Sequence, residues 1–169
     1  AADNGLSVVI IDAKPTYGRK FLMAGKSGLN ITKDEVKSEF LNHYFNAKEW
    51  LTPIINNFDN EAVMKWAQGL NQEIFTGSSG RVFPKSMKAS PLLRSWLIRL
   101  SNKGVTFYRN WKWVGWQDDV AAFDTISGKK LVKSHATILA MGGASWSHLG
   151  SDGLWADILK KNNVNVTNF

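Results

Sequence analysis

The sequence predicts an α/β fold with a parallel sheet, and three observations carry that expectation. The run "GLSVVIIDAK" (5–14) is rich in β-branched residues without polar alternation, the pattern of a strand covered on both faces. A glycine-rich stretch, "GRKFLMAGKSGLNIT" (18–32), follows it and gives way to helical spacing. A second apolar run, "HATILAMGGASWSHLGSDG" (135–153), again reads as a buried-type strand that ends in glycines.

Taken in order, "AADNG" reads as the last turn of a helix with Gly5 as its exit cap. From Lys33 to Leu70 apolar residues recur at helical spacing, predicting two or three short helices broken near Asn46, Pro53 and Asp59. "QEIFTGSSGRVFPKSMKASP" (72–91) starts as a strand and becomes a loop carrying Gly77, Gly80 and Pro84. Ser90 as N-cap and Pro91 at the first helical position then open a helix to about Asn102, ended by Gly104. Beyond it the period changes to two: "VTFYRN", "WKWVGWQ", "VAAFDTI" and "KKLVKS" predict an antiparallel meander with turns at Asp118-Asp119 and Ser127-Gly128. A final helix runs from about Leu154 to Asn162.

A chain of 169 residues, 44 % apolar and 21 % charged, is the size and composition of one globular domain with a core. It has no cysteine, which excludes disulfides, thiolate metal sites and a cysteine nucleophile and points to a reducing compartment, the cytoplasm. No run approaches the roughly 20 apolar residues of a membrane span. The net charge of +7 suggests an anionic partner, but the cations are dispersed along the chain, as on a solvated surface.

A strand-final carboxylate beside a glycine-rich anion loop has a physical logic in dinucleotide folds, where it accepts hydrogen bonds from ribose hydroxyls. It stands there about 20 residues after the Gly-x-Gly-x-x-Gly turn whose helix N-terminus holds the pyrophosphate. Asp12 fits that role if the fingerprint lies before residue 1; the other reading is that Asp12 starts a turn before Pro15. Arg19 and Lys20 can pair with phosphate oxygens, Gly25 and Gly28 allow close backbone approach, and Asn30 adds a neutral donor and acceptor. "AGKS" fails the phosphate-loop register, because six residues rather than four separate Gly18 from Gly25. "GSSGR" and "GGASWS" lack nucleophile-elbow spacing. His43, His135 and His148 show no ligand spacing, so no metal is expected.

"GRKFLMAGKSGLNIT", "GSSGRVFPKSMKASPLLRSWL" and "ILAMGGASWSHLGSDG" strongly resemble bacterial NAD(P)/FAD-dependent, aminoacetone-oxidase-like flavoproteins, in a branch of uncharacterised members. The resemblance spans essentially all 169 residues. It implies a partial Rossmann-like FAD-binding domain of the glutathione-reductase type, carrying a helical insert and an antiparallel β-meander, with the first strand missing. One domain over 1–169 would then divide into strand and glycine loop (1–33), helical insert and loop (34–103), meander (104–134), and strand, glycine loop and helix (135–169). Asp12 would bind the adenosine ribose. Arg19, Lys20, Gly25, Lys26, Gly28 and Asn30 would pass the pyrophosphate, and Met141, Gly142 and Gly143 would make a second backbone contact. Ser79, Arg81, Phe83 and Lys85 would lie toward the flavin. Many relatives read glycine, glycine, arginine, cysteine, asparagine at positions 26–30, so no role of that arginine or cysteine transfers to Lys26-Ser27-Gly28-Leu29-Asn30.

The function expected from these residues is a fragment of an FAD-dependent oxidoreductase moving hydride between a small substrate and an acceptor, with weak or absent FAD binding in this segment alone. No residue stands out as a catalytic base. The absent first strand predicts exposed strand edges and self-association. A second class is a basic nucleic-acid module in which Trp111, Trp113 and Trp116 stack on bases, although a face of tryptophans also describes a packed core. A third is a cofactor-free degenerate scaffold. Nucleic acid and membrane are not the expected partners.

Overall fold

The computed structural model describes residues 1–150 and 152–167. In chain order these form β1 (Val9–Asp12), α1 (Arg19–Ala24), β2 (Thr32–Lys33), α2 (Lys37–Asn42), α3 (Lys48–Asn57), α4 (Asn60–Gly69), β3 (Ile74–Thr76) and β4 (Arg81–Pro84). There follow α5 (Ala89–Asn102), β5 (Thr106–Arg109), β6 (Lys112–Gln117), β7 (Val120–Thr125), β8 (Gly128–Val132) and α6 (Trp155–Lys161). The architecture is mixed α/β, with one parallel pair and two antiparallel sheets. Two compact units result: Ala1–Lys20 with Gly104–Phe169, and Phe21–Lys103.

In the first unit the predicted opening turn is a 3-10 helix over Ala2–Asn4, and Gly5 closes it in the left-handed region at φ 73. β1 pairs in parallel with β5, from Val9↔Thr106 to Asp12↔Arg109. The ladder is extended by the Thr106 N–H to the Val8 carbonyl and the Trp111 N–H to the Asp12 carbonyl. This corrects the single meander expected over 104–134. Asn110 adopts φ 59, a left-handed conformation that asparagine tolerates, and at that bend the chain leaves β5 for the antiparallel β6–β7–β8 sheet. The Asp118-Asp119 turn is as predicted: both residues have positive φ (49° and 62°), as a two-residue hairpin that follows strand twist requires.

Trp113 and Trp116 are three positions apart, which in a regular strand would put them on opposite faces. A register shift between Trp113 and Gly115 brings the rings edge to face at 4.9 Å. Trp111 stacks on Tyr108 at 4.4 Å and meets Phe123 at 6.0 Å, so these indoles pack against their own chain.

The strand expected within 135–141 does not form. That segment joins no ladder, and Ile138 is 90 % exposed. All hydrogen bonds of a strand go to other segments, so an apolar run without a neighbour stays unpaired however β-prone its residues are.

In the second unit β4 is the central strand of an antiparallel β2–β4–β3 sheet, where the sequence was expected to give only loop. Its fully buried Val82 belongs to the core, and Pro84 sits at the strand's last position, where the missing N–H costs little. Leu29, Ala67, Leu70, Ala89 and Leu92 form the buried cluster, with Phe21, Ile31, Trp66 and Ile74 packed on it. Pro53 does not break a helix: it lies inside α3, on the exposed side where water can meet the carbonyl left unmatched, and the Thr52 hydroxyl donates to the Lys48 carbonyl at 2.6 Å. The break at Asp59 is real, because its carboxylate caps α4 by accepting the Ala62 N–H at 3.0 Å. The helix expected to start at Ser90 starts at Ala89, with Lys88 as N-cap and Pro91 in the first turn, where an N–H is unpaired anyway.

Buried Asn60 ties the second unit together, donating from Nδ2 to the carbonyls of Lys33 (3.0 Å) and Glu35 (2.9 Å). Asn60→Ala strands both acceptors and is expected to cost about 2–3 kcal/mol in urea unfolding; a change below about 0.5 kcal/mol would refute this role. Beside it, the hydrogen bond from Lys33, assisted by His43 and opposed by burial, holds the Glu35 carboxyl below its ordinary value of 4.5. A depressed carboxyl stabilises the fold fully above its unfolded pKa and loses that contribution as pH falls through the folded one. Thermal unfolding below pH 4.5 is therefore expected to show a shallower loss of stability in Glu35→Gln than in the wild type.

Candidate functional site

The first unit gathers a carboxylate, several cations and an open glycine loop. Asp12 ends β1 half-buried, and its Oδ1 accepts the Lys14 N–H at 2.8 Å. The turn reading of Asp12 is thus realised, and Oδ2 remains for other donors. Tyr17 packs on Phe107 at 5.3 Å. Burial raises its phenol pKa, the Arg109 charge opposes that and the Asp12 charge adds to it, so Asp12, Arg109 and Tyr17 share one face of the β1–β5 pair.

The chain from β1 to α1 carries Lys14, Arg19 and Lys20. Lys20 Nζ donates to Ser145 Oγ at 3.1 Å, and the Lys14 side chain lies so close to Gly150 that an added Cβ would sit 3.0 Å from Lys14 Cε. The exit of β1 and the loop 142–150 are therefore in contact within the unit. Arg19 Nε is buried without a hydrogen-bond partner. A guanidinium N–H removed from water costs free energy unless an acceptor meets it, which makes it the donor most in need of an anion.

Met141 is half-buried. Gly142 has φ 73, a backbone conformation that suits glycine, and its carbonyl accepts Trp155 Nε1–H at 2.9 Å. A Cβ at Gly143 would meet nothing within 4 Å. Sequence reasoning passed over Ser145 and Trp155; the signal for Ser145 was a small hydroxyl inside a glycine loop, whereas nothing local marks Trp155.

The second unit treats its glycines differently. A Cβ on Gly25 would come within 2.7 Å of Ala89 Cβ and 3.1 Å of Ala89 N, and the bare face of Gly28 (φ 122) meets Met87 and Phe83. The N–H groups of Gly25, Lys26, Gly28, Leu29 and Asn30 donate to the carbonyls of Phe21, Met23, Gly25, Met87 and Gly28 respectively. These donors are committed to the chain itself. Ser79 lies in the loop joining β3 to β4. Arg81 and Phe83 are on β4, with Phe83 stacked on Phe75 at 5.8 Å. Lys85 pairs with Glu73 at 2.6 Å, which raises the pKa of the amine and lowers that of the carboxyl. A cleft of about 590 Å³ in this unit is lined by Asp34, Glu35, Lys37, Asp59, Asn60 and Glu61. Four carboxylates make it hostile to phosphate.

A parallel strand that ends in a carboxylate is one element of nucleotide-binding Rossmann folds. The family model described as HI0933-like protein Rossmann domain matches residues 1–169, and the chain belongs to that family, an FAD/NAD(P)-binding family of oxidoreductase type. None of the curated proteins matches the chain. Among the described residues no helix is long and apolar enough to cross a membrane.

The Gly25–Ala89 approach generates a prediction. Gly25→Ala forces two backbones apart and is expected to destabilise by about 1–3 kcal/mol, while adding Ala89→Gly restores part of that loss despite the cost of about 0.5–1 kcal/mol for a helical glycine. Calorimetric melting of the two variants checks it; an additive, unrescued double variant would contradict the close approach.

Proposed function

We propose that the first unit holds the adenosine and pyrophosphate end of FAD, and that the chain is part of a flavin-dependent oxidoreductase acting on a small substrate. When bound, FAD supplies the hydride acceptor, while the protein supplies position and electrostatics. In this reading Asp12 Oδ2 accepts from ribose hydroxyls, Arg19 Nε and Lys20 Nζ donate to phosphate oxygens, and the loop at Gly142 and Gly143 gives the cofactor room to lie against backbone. The assignment rests on the first unit alone, since the second spends the N–H groups of its glycine stretch internally.

The observation that carries the reading is the orphaned, buried Nε of Arg19, next in sequence to Lys20, whose ammonium reaches the second glycine loop. Its test is the product of the complete reading frame containing these residues, purified and scanned for flavin absorbance, then compared with Arg19→Ala and with Lys133→Ala as a charge control. Flavin is expected in the wild type and in Lys133→Ala. Arg19→Ala is expected to bind FAD about ten- to a hundredfold more weakly, as a hydrogen bond to a charged group is worth about 1.5–3 kcal/mol. A colourless wild type that takes up no added FAD, or an Arg19→Ala variant of undiminished affinity, would defeat the proposal.

A further inference from the structure

Among the described residues, the bulky side chains Phe45, Met87 and Trp146 stand on backbone of positive φ. The left-handed region costs a residue with a Cβ roughly 1–2 kcal/mol, so a large aromatic held there calls for a reason. Met87 has one in its packing against Gly28. Trp146, at φ 71 and ψ 52, heads the 3-10 turn Ser147–Leu149, and its side chain is 51 % exposed, so burial of the indole does not offset the strain.

What surrounds Trp146 is informative. The residue before it, Ser145, is held by Lys20, the Trp146 carbonyl accepts the Leu149 N–H at 2.9 Å, and Gly150 lies against the Lys14 side chain. The loop is therefore pinned on both sides of a half-exposed indole, with two ammonium-bearing side chains at its edge. His148 approaches the ring at 5.8 Å with a 45° tilt, which is not a stacked arrangement. Strained backbone of this kind persists where a rigid surround over-determines it, and it clusters at ligand clamps.

We infer that Trp146 is a stacking residue: its indole is displayed to receive the flat heteroaromatic ring of a phosphate-bearing ligand, while the cations beside it take the phosphate. This rests on the nucleotide-binding reading above and deepens it, because it assigns the ring contact to a residue outside the glycines and cations already named. Two rings have the required chemistry, the isoalloxazine and the adenine of FAD, and the test separates them.

Riboflavin 5′-phosphate and 5′-ADP are titrated separately, followed by FAD, into the apo form of the full reading-frame product, with tryptophan fluorescence and calorimetry as readouts. The panel is wild type, Trp146→Phe and Trp146→Gly. Stacking of a base on an aromatic side chain predicts that Trp146→Gly weakens one mononucleotide, and FAD, by about five- to a hundredfold, leaving the other mononucleotide within about twofold. Loss on riboflavin 5′-phosphate assigns the isoalloxazine, and loss on 5′-ADP assigns the adenine. Trp146→Phe keeps most of the affinity. Because glycine relieves the left-handed strain and little packing is lost, the melting temperature of Trp146→Gly is expected to hold or rise. A lower melting temperature with unchanged affinities would make Trp146 a structural residue and overturn the inference while sparing the FAD reading. A wild type that binds none of the three ligands would overturn both.

Discussion

The parallel pairing of β1 with β5 is the constraint from which the rest of the chain's organisation follows. Antiparallel neighbours can be joined by a two-residue turn, as β6 and β7 are, but parallel neighbours need the chain to return to the same end of the sheet. Here the whole unit Phe21–Lys103 is that return path. It is far larger than a single crossover helix, and it has its own core around Leu92 and Ala67. The same pairing fixes where Asp12 ends, directly across from Arg109, and so decides where the cations of the following segment begin.

Charge is partitioned in a way that the overall figure of +7 conceals. Around the β1 exit, Lys14 and Lys20 meet a loop of glycines and small hydroxyls, and the carboxylate of Asp12 is half spent on a turn. In the second unit several cations are paired: Lys33 with Glu35, Lys37 with Asp59, Lys85 with Glu73. Exposed pairs of this sort contribute little energy each.

Legibility in the sequence followed the range of the interactions involved. The Asp59 cap, the Gly5 exit and the Asp118-Asp119 turn are decided within a few residues, and all three could be read directly. β4 could not, because its Gly77, Gly80 and Pro84 are loop residues by local preference and only its neighbours β2 and β3 make it a strand. The run at 136–141 failed in the opposite direction: its residues favour a strand, but no ladder partner is present among the described residues. Pro53 inside α3 and the bulge that brings Trp113 to Trp116 are likewise settled by solvent and packing, which local pattern does not encode. At the proposed site, residue type alone singles out Asp12, Arg19, Lys20, Gly142 and Gly143. The contacts that join them were not, for Lys20 and Ser145 are separated by 125 positions.

The two glycine-rich loops show why composition alone leaves function underdetermined. A glycine is used either because something must come close to the backbone or because the backbone must turn where a side chain forbids it. Both loops look alike as strings, yet the space where a Cβ would go distinguishes them. At Gly25 it is filled by Ala89, at Gly28 by Met87 and Phe83, and the amides around them are bonded to the chain's own carbonyls, so the bareness of 25–30 serves the packing of the second unit. At Gly143 nothing approaches within 4 Å, Gly142 is held in a left-handed bend, and Trp146 keeps a strained conformation that its own burial does not explain. Packing within the unit accounts for the bare faces of Gly25 and Gly28, whereas the space beside the Gly143 Cα stays open. A strained, exposed indole on a loop held by Lys14 and Lys20 is what the proposed contact with a flat, phosphate-bearing ligand would use.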